Sequence, residues 1–250
     1  MDIREVVEHV CYRIANTPVR TWPFPHFYVT GVFPAGYYRQ ILDHWPEATA
    51  FVSQADSGRS SAGAYRERQI LSLLNGNSRA SGDPFWNEFA DWFTGPRFMQ
   101  LMTMHFKPWI DRSRQLPPRV SVEPDGMLVQ DCTGYEISPH TDARQRLVSS
   151  LFYCPADATQ RHLGTSLYIP RDQGPVPGIS GRHYDRQHFV RAATMDFMPN
   201  SLFGFVVGPR SFHGVEPVRD PGVRRNLILH YVRLSSETLA AMPPEDSATT

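Results

Sequence analysis

The stretch GYEISPHTDARQRLVSSLFYC (134–154) sets an imidazole, His140, and a carboxylate, Asp142, two positions apart in a segment that otherwise alternates like a β-strand. Side chains two apart on a strand share a face, so both groups can reach one point in space. One imidazole and one carboxylate make an incomplete metal set. A second histidine would complete the two-His-one-carboxylate arrangement that holds Fe(II) and leaves coordination positions open. His213, about seventy residues on in PRSFHGVEPV, is the candidate. An H-x-D pair alone carries little weight, because a solvated His–Asp pair is the ordinary outcome. The context adds weight. After His213 an RDPG turn leads into VRRNLILHYV, an alternating strand with Arg224 and Asn226 on one face. An arginine directed into a barrel interior is costly unless it meets an anion, which a dicarboxylate would supply. Arg225 points the other way and takes the role if the register is off by one.

These residues need a scaffold, and 250 residues can bury a substantial core. The sequence carries 25 basic and 25 acidic residues, which gives no electrostatic reason to expect nucleic acid or an anionic membrane as partner. No apolar run approaches the roughly 20 residues needed to cross a bilayer, and the acidic, amphipathic start MDIREVVEHVCYRI is not expected to act as a signal peptide. Cys11, Cys132 and Cys154 are too few and scattered for a disulfide framework or a cysteine-rich zinc site. A cytoplasmic address is expected. Lys107 is the one lysine, which fits a GC-rich coding bias.

The chain changes character near residue 117. Before it the spacing is helical: Ile3, Val6, Val7, Val10, Cys11 and Ile14 mark an amphipathic helix. A second helix is expected over 34–45, and 84–111 reads as two aromatic-rich helices broken at Gly95-Pro96. Residues 53–64 read as a polar loop of low order. After Pro117-Pro118 come short β-branched and aromatic runs: 119–122, 127–131, 135–138, 146–153, 165–169, 188–194, 202–207, 212–218 and 224–233. Such a series suggests a sandwich or jelly roll. The expected organisation is one structural domain, mainly β with N-terminal helices: a helical region 1–117, a β core 118–234 and a frayed tail 235–250. The Pro/Gly-rich stretch 170–187 reads as a binding loop or lid.

The motif residues resemble the Fe(II)/2-oxoglutarate-dependent oxygenase superfamily, and within it the prolyl-hydroxylase-like branch. Gly134, His140 and Asp142, then Arg146, Ser149, Leu151 and Tyr153, then His213, Val215, Pro217 and Val218, then Gly222 and Arg224 follow that branch's core pattern. WPFPHFYVTGVFPAGYYRQILDHWP (22–46) is similar to the lead-in helix and strand of bacterial members. The resemblance implies a double-stranded β-helix (a cupin-like jelly roll). It implies that His140, Asp142 and His213 form the catalytic centre and hold Fe(II), with 2-oxoglutarate and O₂ as cosubstrates. Arg224 would pair with the distal carboxylate of 2-oxoglutarate and Asn226 would face the same pocket. The branch often places a tyrosine three residues before the glycine and another three before the first metal histidine. Here those positions hold Asp131 and Ile137, so Gln130 is the stand-in for a cosubstrate contact from that strand. The intact Asp142 favours hydroxylation over halogenation.

The implied activity is hydroxylation of an unactivated C–H of a small molecule, such as a natural product or an amino acid, with succinate and CO₂ as co-products. The alternatives are a protein prolyl hydroxylase and a metal-binding cupin-like isomerase or binding protein. His9, His26 and His44 are expected at the surface or at caps, and His105 as a core residue. Arg182 and His183 on the long loop, Arg144 beside the metal motif and YRER at 65–68 are the weaker candidates for substrate contact, and Arg146 is expected in a structural ion pair.

Overall fold

A computed structural model describes residues 2–58, 65–74, 82–172, 174 and 177–242. Helix α1 (Ile3–Ala15) starts where the Asp2 side chain accepts the Arg4 amide, and its 3–4 spacing buries Val6, Val10 and Ile14. β1 (His26–Thr30) and α2 (Ala35–Asp43) follow, both within the stretch 22–46. α3 (Pro84–Phe93) is capped by Asp83 with proline at its first turn, and α4 (Pro96–Ser113) restarts after the Gly95-Pro96 break. Their aromatic faces bury Trp86, Phe89, Phe93, Phe98 and Phe106.

Two antiparallel sheets make the body. The larger runs in the order β1-β9-β6-β11-β4-β3-β2, and the smaller runs β5-β10-β7-β8. Their strands are β2 (Val52–Ser53), β3 (Arg68–Ser72), β4 (Val122–Cys132), β5 (Ile137–His140), β6 (Arg146–Tyr153) and β7 (Thr165–Pro170). The remainder are β8 (Phe189–Met195), β9 (Ser201–Val206), β10 (His213–Val215) and β11 (Arg224–Leu234). Alternation along each strand separates two cores. Leu128, Val148, Phe152, Ile228 and Val232 face the helices. Met127, Val129, Tyr153, Leu227, Leu229 and Tyr231 face inward, with Leu167, Met195 and Val215 of the small sheet. Each buried aliphatic or aromatic side chain contributes about 1.5–3 kcal/mol, so the two faces of the large sheet hold it between the helices and the small sheet.

Some expectations shift. Of the expected strand 119–122 only Val122 is in a strand, the start of β4, which takes in 127–131, and the expected strand 212–218 shortens to His213–Val215. The described part of the first 117 residues also supplies strands β1, β2 and β3, because β1 pairs β9 and β3 extends the large sheet beyond β4. The tail does not fray at once: Ser235 caps a further helix, α5 (Ser236–Ala241), and Thr238 is buried. Residues 243–250 lie outside the described residues, as do 59–64 of the expected polar loop and 173, 175 and 176 of the long loop.

Candidate metal centre

His140 closes β5 and His213 opens β10, and the two are direct partners across that antiparallel pair, so their rings lie 4.4 Å apart. The strand ends at His140. Asp142 lies just beyond it and is held instead by β6: Arg146 Nη1 donates to its Oδ1 at 2.6 Å and the Ser149 hydroxyl donates to its Oδ2. One ligand atom from each of His140, Asp142 and His213 lies within 4.8 Å of the others, and all three residues are buried. Among the described residues no other trio of His, Cys, Asp or Glu does this.

The protonation of the trio suits a cation. His140 Nδ1 faces the Ser138 carbonyl at 3.0 Å and His213 Nδ1 faces the Ser211 carbonyl at 2.9 Å. A carbonyl can only accept, so Nδ1 carries the hydrogen and Nε2 offers a lone pair in each ring. Burial, then the neighbouring His213, hold His140 well below its ordinary pKa. Burial likewise lowers His213, against the pull of Asp142. Burial pushes the Asp142 carboxyl up, but Arg146, the two histidines and Ser149 together hold it below the usual carboxylate range. Two neutral imidazoles and one ionised carboxylate are the donor set that Fe(II) accepts.

The trio opens on a cavity of about 550 Å³. Arg225 lines it and Arg224 does not. Arg224 is exposed at the start of β11, and the inward face carries Arg225, Leu227, Leu229 and Tyr231. The same parity turns Gln130 and Asn226, partners in the β4–β11 register, toward the helices. Neither lines the cavity, and the Asn226 side-chain oxygen is buried without a hydrogen-bond partner among the described residues. Arg224, Asn226 and Gln130 thus share the wrong face for a cosubstrate contact, and the alternative register through Arg225 is the observed one.

The inward position beside Gln130 belongs to Asp131, which is fully buried. It accepts from Arg225 Nη1 at 2.6 Å and from Arg68 Nε and Nη2 at 2.6 and 2.9 Å. The three lie in line across β11, β4 and β3. Two guanidiniums share one carboxylate, which leaves a surplus positive charge inside the protein. Arg68 also lies over the Tyr135 ring at 4.5 Å, and the buried Tyr135 hydroxyl has no hydrogen-bond partner among the described residues. Surplus charge and an orphaned donor are what an anionic ligand would satisfy, so these residues fit a dicarboxylate.

Two weaker candidates also reach the cavity. Tyr65 Oη and His183 Nε2 are 2.7 Å apart, and the His183 ring stacks on His140 at 4.5 Å. Arg144 and Arg182 are not among the lining residues, while Arg146 has its ion partner in Asp142 and stacks over Tyr231. The sequence signals missed were Asp131, read only as a lost tyrosine, and Tyr135, whose position just after Gly134 carried no pattern of its own.

The architecture has known counterparts. A prolyl-4-hydroxylase from Pseudomonas putida superposes with a TM-score of 0.50 over 92% of this chain and 100% of its own, at 15% identity. A prolyl hydroxylase from Trichoplax adhaerens, solved with a hypoxia inducible factor oxygen degradation domain peptide, superposes at 0.52 over 95% and 93%, at 13% identity. The fold is that of the prolyl hydroxylases. It is the double-stranded β-helix of the 2-oxoglutarate oxygenases, as the sequence motif implied. No protein-family model matches the sequence, and neither does any curated protein. At such identities the likeness speaks for the fold, and the chemistry has to come from this chain's own residues. No helix among the described residues is long and apolar enough to cross a membrane.

Proposed function

We propose that the protein is an Fe(II)- and 2-oxoglutarate-dependent dioxygenase that hydroxylates an unactivated C–H of a small molecule, releasing succinate and CO₂. The observation that carries this reading is the pairing, in one cavity, of two neutral imidazoles and an ionised carboxylate with an arginine pair, Arg225 buried and Arg68 half-buried, that has one carboxylate too few. A site for metal alone has no use for the second feature. His140, Asp142 and His213 would hold iron, which with 2-oxoglutarate and O₂ supplies the oxidising power that no side chain has.

The chain's own part is positioning. Arg146 and Ser149 fix the carboxylate of Asp142, and backbone carbonyls fix both imidazoles. The Arg68–Asp131–Arg225 cluster draws the distal carboxylate of the cosubstrate. Tyr65 and His183 join two chain segments beside His140. The cavity volume of about 550 Å³ suits the cosubstrate together with a small molecule.

Uncoupled turnover tests this without knowledge of the substrate. Incubated in air with Fe(II) and 2-oxoglutarate, the protein should release succinate, and His213→Ala should not. Iron-loaded wild-type protein that releases none would favour a metal-binding cupin-like role.

A further inference from the structure

Arg225, one residue after the Arg224 that the sequence motif points to, is the arginine of β11 that lines the cavity, and each of its three nitrogens is directed at a protein acceptor. Nε donates to the Leu163 carbonyl at 2.6 Å, Nη1 to Asp131 at 2.6 Å, and Nη2 points at Thr165 Oγ1 at 3.5 Å. The Phe197 ring lies 4.7 Å from the guanidinium carbon, and the side chain has no exposed surface. Arg68 differs. Its fork grips Asp131 through Nε and Nη2, which leaves Nη1 without a hydrogen-bond partner among the described residues. Beneath it lies Tyr135, only 1% exposed, whose hydroxyl is unpartnered and whose side chain lines the same cavity. Burial raises the Tyr135 pKa, so the phenol keeps its proton and can donate.

Granting the 2-oxoglutarate reading, we infer that Arg68 Nη1 and Tyr135 Oη form the subsite for the distal carboxylate, and that Arg225 serves to position Asp131 and through it Arg68. A carboxylate placed there takes one charged and one neutral hydrogen bond. It also neutralises the surplus charge of the two arginines and satisfies the orphaned phenol. Arg68 is supplied by β3, a strand added at the side of the large sheet by the N-terminal region.

Calorimetric titration of the Mn(II)-loaded protein tests this without turnover, using 2-oxoglutarate and 2-oxobutyrate, which lacks the distal carboxylate. Tyr135→Phe removes only the hydroxyl and preserves the packing beneath Arg68. It should weaken 2-oxoglutarate binding about tenfold or more while leaving 2-oxobutyrate unchanged, and Arg68→Gln should do the same to 2-oxoglutarate. Undiminished 2-oxoglutarate affinity in Tyr135→Phe would overturn the subsite and leave the oxygenase reading standing. An equal loss for both acids would also overturn it. Wild-type protein that binds Mn(II) but no 2-oxoglutarate would overturn the oxygenase reading and this inference together.

Discussion

Asp131 and Arg225 meet with no exposed surface on either side chain. Removing Arg225 leaves Asp131 paired with Arg68 but takes away the donor that the buried Leu163 carbonyl accepts and one of the bonds to Asp131, at a cost of about 1–3 kcal/mol. Arg225→Gln should therefore lower unfolding stability by about that much in urea, while Arg224→Gln, one residue away and exposed, should change it by less than about 0.5 kcal/mol. Comparable losses in both variants would contradict the register described. The contrast also shows what the sequence could carry. His140, Asp142 and His213 were legible because their residue types are chemically specific and their spacing fits a known motif. Arg224 against Arg225 was not legible, since a one-residue slip exchanges the faces of a strand and only the neighbours in space reveal which face is inside. Asp131 was visible in the sequence as an absent tyrosine, but its two arginine partners come from strands far away in the chain.

At the scale of elements, strands with alternating or β-branched runs were readable: 146–153, 165–169 and 224–233 match β6, β7 and β11 to within about a residue at each end. β3 was not, because RQILS has two adjacent apolar residues and no alternation; it is a strand by virtue of the β4 backbone beside it. Its position matters for function, since it delivers Arg68. The small sheet depends on a close approach that composition does not announce. Gly164 precedes β7, and a Cβ there would come within 1.8 Å of the Met195 carbonyl oxygen at the end of β8. Gly164→Ala should push those two strands apart and destabilise the protein by about 1–3 kcal/mol or more, read from its denaturation midpoint. An unchanged midpoint would mean that the β7–β8 junction yields freely.

Across the whole molecule, the helix-side core is built from aromatic rings, and one buried histidine sits among them. His230 on β11 packs against Phe93 and Phe98, both its nitrogens lack hydrogen-bond partners among the described residues, and burial pushes its pKa down to about 3. The unfolded chain protonates that ring near pH 6.5, so it binds a proton the folded state refuses. The resulting stability is fully present above about pH 6.5 and is lost at up to about 1.4 kcal/mol per pH unit as the pH falls toward 3. His230→Leu should flatten that part of the pH profile relative to wild type, and parallel profiles would contradict it. If the buried trio and the arginine pair form one oxygenase site, titrating metal-free protein without oxygen, first with Fe(II) and then with 2-oxoglutarate, will show it in the visible spectrum. A weak charge-transfer band that needs both additions and disappears in His213→Ala is the expected result. Tight Fe(II) binding with no band on adding 2-oxoglutarate would contradict it.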